Sequence, residues 1–104
     1  MPDTFEVNYE MGYGADEFGK VLQGPFSGDK SPYGCVTLET HYWRIEQPQA
    51  EFDLTIRVAE QPPRELGMFR LPVLAVNFTF TATEEALRKA FFHRFHQYFH
   101  KGGG

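Results

Sequence analysis

Two stretches of strict two-residue alternation constrain this chain more than any other feature. In TFEVNYEM (4–11), Phe5, Val7, Tyr9 and Met11 share one parity and Glu6, Asn8 and Glu10 the other. In AEFDLTIRVAE (50–60), Phe52, Leu54, Ile56 and Val58 oppose Glu51, Asp53, Thr55 and Arg57. Successive side chains of a strand point to opposite faces, so each stretch has one face for a core and one for water, the habit of antiparallel sheets.

Two further stretches complete a set of four predicted strands. RLPVLAVNFTFTA (70–82) is apolar on both faces at first and then alternates, with Val76, Phe78 and Phe80 inward, as expected of the most buried strand. CVTLETHYWRIE (35–46) begins with Val36 and Leu38 inward, but Trp43 and Ile45 share parity with Glu39 and His41. A β-bulge near Thr40–Trp43 accommodates that slip. The short loop QPQ (47–49) predicts a hairpin whose register sets Glu39 opposite Arg57, His41 opposite Thr55 and Trp43 opposite Asp53.

A long helix is predicted over 83–101. Thr83 suits the N-cap, Glu84 and Glu85 the positive end of the dipole, His100 and Lys101 the negative end, and Gly102 the C′ position. At about 100° per residue, Leu87, Phe91, Phe92, Phe95, Tyr98 and Phe99 occupy one arc, with Arg88 snorkelling inside it. The segment 12–34 holds six glycines and two prolines. Within it ADEFGKVLQ predicts a short helix with Phe18, Val21 and Leu22 inward, weakened by Gly19. The expectation is one α+β domain over 1–104: a four-stranded, mainly antiparallel sheet with one long C-terminal helix packed on one face. An open sheet fits one helix after four strands better than a ferredoxin-like or helix-grip arrangement.

The helix also carries the one cluster that invites a catalytic or metal reading, HRFHQYFHK (93–101). Its wheel puts Lys89, His93, His96 and His100 in one stripe, on the side away from the aromatic arc. His96 and His100, at i and i+4, support adventitious metal binding at most, because no cysteine or carboxylate joins them and Lys89 repels a cation. The solvated reading is preferred, and no metal or cofactor is expected. Cys35 and His41 share a strand face but lie about 20 Å apart at 3.3 Å per residue, too far for a thiol–imidazole pair. Glu39 and His41 read as an ordinary surface pair. GYGADEFG lacks either phosphate-loop spacing.

Charge and composition exclude other classes. The net charge is −4: residues 83–104 carry +2 and the first 82 carry −6. An acidic body disfavours nucleic-acid binding, which rests on phosphate neutralisation. The N-terminus has no signal-peptide pattern and LPVLAV (71–76) is far too short to span a bilayer, so a cytoplasmic chain that does not engage membranes is expected. One cysteine precludes an internal disulfide.

Two functional classes remain. The first is a noncatalytic binding or interaction protein that self-associates as a homodimer, through Trp43 and Ile45 on an uncovered sheet face. The second is a small enzyme or a carrier of a small apolar ligand. Its aromatic-lined pocket would lie between sheet and helix, with Tyr9, Tyr42, Arg88 and Tyr98 as polar lining and 12–34 as lid. No nucleophile, base and orienter match in the sequence, which favours the first.

Overall fold

A computed structural model of the chain describes residues 3–28 and 31–99. Its elements are β1 (Thr4–Met11), α1 (Ala15–Gln23), β2 (Gly34–Glu39), β3 (Tyr42–Glu46), β4 (Asp53–Leu66), β5 (Phe69–Thr81) and α2 (Glu85–Tyr98). The architecture is α+β with an antiparallel sheet, as expected, but with five strands in place of four and two helices in place of one long one, α1 being the short helix expected over ADEFGKVLQ. The strand order is β1-β5-β4-β3-β2, so the first strand pairs with the last.

The extra strand arises inside 35–46. The chain reverses at Thr40–His41, where His41 adopts the left-handed conformation (φ 62°) and its carbonyl accepts the Val58 N–H at 3.1 Å. The parity slip is therefore a hairpin turn, with a register irregularity between Thr37 and Glu39. The new register places Tyr42 opposite Arg57, Trp43 opposite Ile56 and Ile45 opposite Leu54. The expected Glu39–Arg57 pair does not form. Glu39 faces Tyr42 across the turn, and the Arg57 guanidinium lies 4.0 Å over the Tyr42 ring.

Both helices cover the same face of the sheet. That face carries Trp43 and Ile45, Leu54, Ile56 and Val58, and Leu74, Val76, Phe78 and Phe80, all buried. α1 lies over the β3 side, where Phe18 meets Trp43 at a ring separation of 5.7 Å. A Cβ on Gly19 would stand 2.9 Å from Trp43 Cζ2, so the residue that weakens α1 is also the one that lets it approach the sheet. α2 packs Phe91 and Phe95 on Phe78 and Phe80, and Phe26 stacks on Phe91 at 4.7 Å. The opposite face is polar: Asn77 Nδ2 donates to Asn8 Oδ1 at 2.9 Å and Thr79 Oγ1 to Asn77 Oδ1 at 2.8 Å.

α2 is shorter than predicted and rotated about its axis. Thr83 is buried but does not cap it: its hydroxyl accepts the Asp53 N–H and donates to the Thr81 carbonyl, and the N-cap is Glu84. The helix ends at Tyr98, and the predicted His100–Gly102 terminus lies outside the described residues. Burial centres on Phe91, Phe95 and Phe99 with Phe92 on the flank, leaving Tyr98 47% exposed. His96 follows Phe92 by four residues, about 40° round the helix, and so reaches the edge of the sheet instead of facing away from it.

β4 and β5 outrun their neighbours. β3 pairs with β4 only over Asp53–Arg57, and β1 pairs with β5 only from Leu74 onward. Gln61–Leu66 and Phe69–Val73 therefore pair with each other alone, as a ribbon closed by Gly67 (φ 60°) and Met68. Pro62, Pro63 and Pro72 argue against a strand here. They are accommodated because among the described residues the ribbon has no third strand to bond, and because its register shifts between Gln61 and Arg64.

Candidate functional site

Alternate residues of β1 and one side of α2 enclose a groove of about 490 Å³ along the edge of the sheet. Phe5, Val7 and Tyr9 form its floor with Phe92, and Glu85, Arg88, Lys89, His93 and His96 form its wall. The helical residues recur at three- and four-residue intervals, which is why one face of α2 can line one strand. The groove lies between sheet and helix; α1 packs against Trp43 of β3, Phe26 and Tyr33 pack around Phe91, and among the described residues none of 12–34 lines the groove.

Most of the polar lining groups have a hydrogen-bonding or ionic partner. Arg88 is half-buried; its Nη1 donates to the Thr83 carbonyl at 2.6 Å and its guanidinium carbon lies 4.1 Å over the Phe5 ring. Lys89 pairs with Glu85 at 2.9 Å, and the hydrogen bond from Lys89 lowers the Glu85 carboxyl pKa. The Tyr9 ring packs edge-on against Phe78 at 5.3 Å and near Phe92 at 5.7 Å, with its oxygen 3.3 Å from His96 Nε2. Burial raises the Tyr9 hydroxyl above its ordinary value, so the phenol keeps its proton. It donates to His96 when Nε2 is bare and accepts when Nε2 is protonated. With Glu85 engaged by Lys89, Arg88 leaves the rim cationic in a chain of net charge −4.

Two of the four predicted ligand residues, Tyr9 and Arg88, come together here. Tyr42 lies on the opposite sheet face under Arg57, and Tyr98 is on the outer side of α2 with Arg94 5.8 Å from its ring centre. Trp43 and Ile45 are 5% and 0% exposed, so neither forms a surface patch; the Thr40–His41 turn sends both into the core. Phe5, Val7, Lys89, Phe92, His93 and His96 were missed as site residues. Their signal was present in the β1 alternation and the helical spacing, but only the pairing of β1 with β5 brings the two together.

The other chemical groups stay apart. Burial raises the Cys35 thiol to about 11, against a smaller opposing effect of its hydrogen bond with Gln23. His41 meets Asp16 at 3.3 Å, not Glu39, in a shallow depression beside Trp43. Among the described residues no three His, Cys, Asp or Glu side chains group as metal ligands, and His100 lies outside them. Among the same residues no helix is long and apolar enough to cross a membrane. Comparison with protein families, with curated proteins and with solved structures found no match.

Proposed function

We propose that this chain is a noncatalytic binding protein and that its ligand, apolar in body and anionic at one end, seats in the groove between β1 and α2. One observation carries the reading: an apolar floor of Phe5, Val7, Tyr9 and Phe92 lies beneath the fixed guanidinium of Arg88 and the ammonium of Lys89. Sites of this kind bind through apolar area and take orientation from a few placed charges. Fluorescence titration with anilinonaphthalene sulfonate, an apolar anion, tests it. Lys89→Glu should weaken binding at least tenfold, since it leaves Glu85 unpaired and turns the net positive rim of Arg88, Lys89 and Glu85 into a net negative one. Equal affinity for parent and variant overturns the reading.

A second reading, self-association, rests on the ribbon in place of Trp43 and Ile45. Met68 is 98% exposed and Phe69 72%, beside the exposed Leu66 and Leu71. A two-stranded ribbon is marginal alone in water, and so apolar a tip calls for cover. A second copy supplies it by laying its own tip residues Leu66, Met68, Phe69 and Leu71 against these, one self-complementary patch being enough for a two-fold dimer. Sedimentation should show a dimer that the Met68→Ser, Phe69→Ser double variant dissociates. A parent that is monomeric at high micromolar concentration refutes it.

A further inference from the structure

We infer that the occupant of the groove is an extended peptide segment that joins the free edge of β1 as a sixth strand, with apolar and acidic side chains directed inward and basic ones outward. The inference rests on the groove as binding site and adds what occupies it and how.

The backbone supplies the first argument. The Ala82 N–H donates to the Asp3 carbonyl at 2.8 Å, which fixes the hydrogen-bonding phase between β1 and β5. Bonded and non-bonded pairs alternate along an antiparallel ladder, so Phe5, Val7, Tyr9 and Met11 spend their backbone groups on Phe80, Phe78, Val76 and Leu74. Thr4, Glu6, Asn8 and Glu10 then direct N–H and C=O outward. The bond from Val58 N–H to His41 C=O gives the same phase counted from the other side of the sheet. Among the described residues no strand lies beside this edge.

β1 is also the edge that lacks protection. Natural sheets blunt their edges with prolines, lysines, bulges or short strands. β2 has six residues and an irregular register, and the ribbon carries Pro62, Pro63 and Pro72. β1 has eight residues, neither proline nor lysine, and pairs with β5 without a break.

Dimensions and charge define the added strand. From Phe5 to Tyr9 the floor runs about 13 Å at 3.3 Å per residue, and from Glu85 to His96 the wall runs about 16 Å at 1.5 Å per residue. That accommodates roughly four or five extended residues. Inward side chains meet Phe5, Val7 and Phe92, with Arg88 and the Lys89–Glu85 pair above them, a wall of net positive charge, and so are apolar or carboxylate. Outward side chains lie beside Glu6 on the polar face, which selects lysine or arginine there, whereas Glu10 is already paired with Arg64 at 3.7 Å. An edge strand next to a helix is a recurring peptide-binding geometry because main-chain bonds give affinity and alternate pockets give specificity. A second copy pairing β1 to β1 fits poorly, since its two-fold axis would set the net positive wall of Arg88, Lys89 and Glu85 against its own copy.

The test uses a synthetic hexapeptide with Val, Val and Glu at alternate inward positions and Lys between them. A matched peptide is N-methylated at the amides that would donate to β1. Amide exchange by NMR should show the Glu6 and Asn8 N–H groups slowed at least tenfold by the first peptide, with Val7 and Tyr9 little changed. The methylated peptide should bind at least tenfold more weakly. Equal binding of the two, or binding without protection of Glu6 and Asn8, overturns strand addition and leaves the groove reading standing. If anilinonaphthalene sulfonate binds in the groove and neither peptide does, the inference fails alone; if nothing binds there, both fail. Protection of Glu6 and Asn8 that grows with protein concentration, without peptide, assigns the edge to a second copy and likewise overturns it.

Discussion

Gly19→Ala sets helix propensity against packing, and the structure decides the sign. Inside a helix, alanine for glycine is favourable by roughly 1 kcal/mol. Here the added methyl would lie 2.9 Å from Trp43 Cζ2, well inside the 3.5–4.0 Å at which carbon atoms attract. The indole is rigid, 5% exposed and backed by Phe18, so no terminal bond can rotate to relieve the contact. Overpacking of this kind costs about 1–3 kcal/mol. The net expectation is a loss of about 1 kcal/mol, which lowers Tm by roughly 4–8 °C in a domain of this size. Urea melts with unchanged m-value should report it. Trp43→Phe removes the obstructing ring atoms, and in that background Gly19→Ala should become neutral or stabilising. A parent stabilised by Gly19→Ala would show that α1 does not lie on Trp43, and the packing of that side of the sheet would have to be redrawn.

Phe95→Ala should cost about 3–5 kcal/mol in denaturant melts, because it empties a fully buried site stacked on Phe99; a loss under about 1 kcal/mol contradicts the placement of α2. Trp43→Arg should abolish folding, as it puts an unpaired charge where the indole is 5% exposed; a folded variant by circular dichroism refutes the core assignment. Cys35 should alkylate slowly with iodoacetamide. Its thiol is raised from an ordinary 9.0 to about 11, so near pH 8 the thiolate is about a hundredfold scarcer, and the rate should climb until pH approaches 11. A rate plateau near pH 9 contradicts the burial.

Much of this fold was readable in the residues. The alternation of Phe5, Val7 and Tyr9, and of Leu54, Ile56 and Val58, marks the inner face correctly because a half-buried strand writes its two faces into its parity. Phe91, Phe95 and Phe99 likewise mark the buried side of α2. The hairpin at Thr40–His41 was illegible because neither residue is a turn former; histidine adopts the left-handed conformation there under the demand of the flanking pairs. The ribbon was hidden by its prolines, which disqualify a strand only where a neighbour needs the missing N–H. The rotation of α2 toward His96 follows from where the sheet ends, a long-range fact that no local period records. For the same reason Tyr9 and Arg88 could be named as polar lining, while Tyr42 and Tyr98 could not be told apart from them.

The histidines provide internal reporters of where a ligand sits. His93 and His96 line the groove, whereas His41 lies beside Asp16 in the depression next to α1. Imidazole resonances followed by NMR during titration with an apolar carboxylate therefore locate the site without any substitution. Occupation of the β1–α2 groove predicts saturable shifts at His93 and His96, with His41 unmoved. Shifts at His41 alone, with His93 and His96 unchanged at saturation, would place the ligand elsewhere and contradict the groove as the binding site.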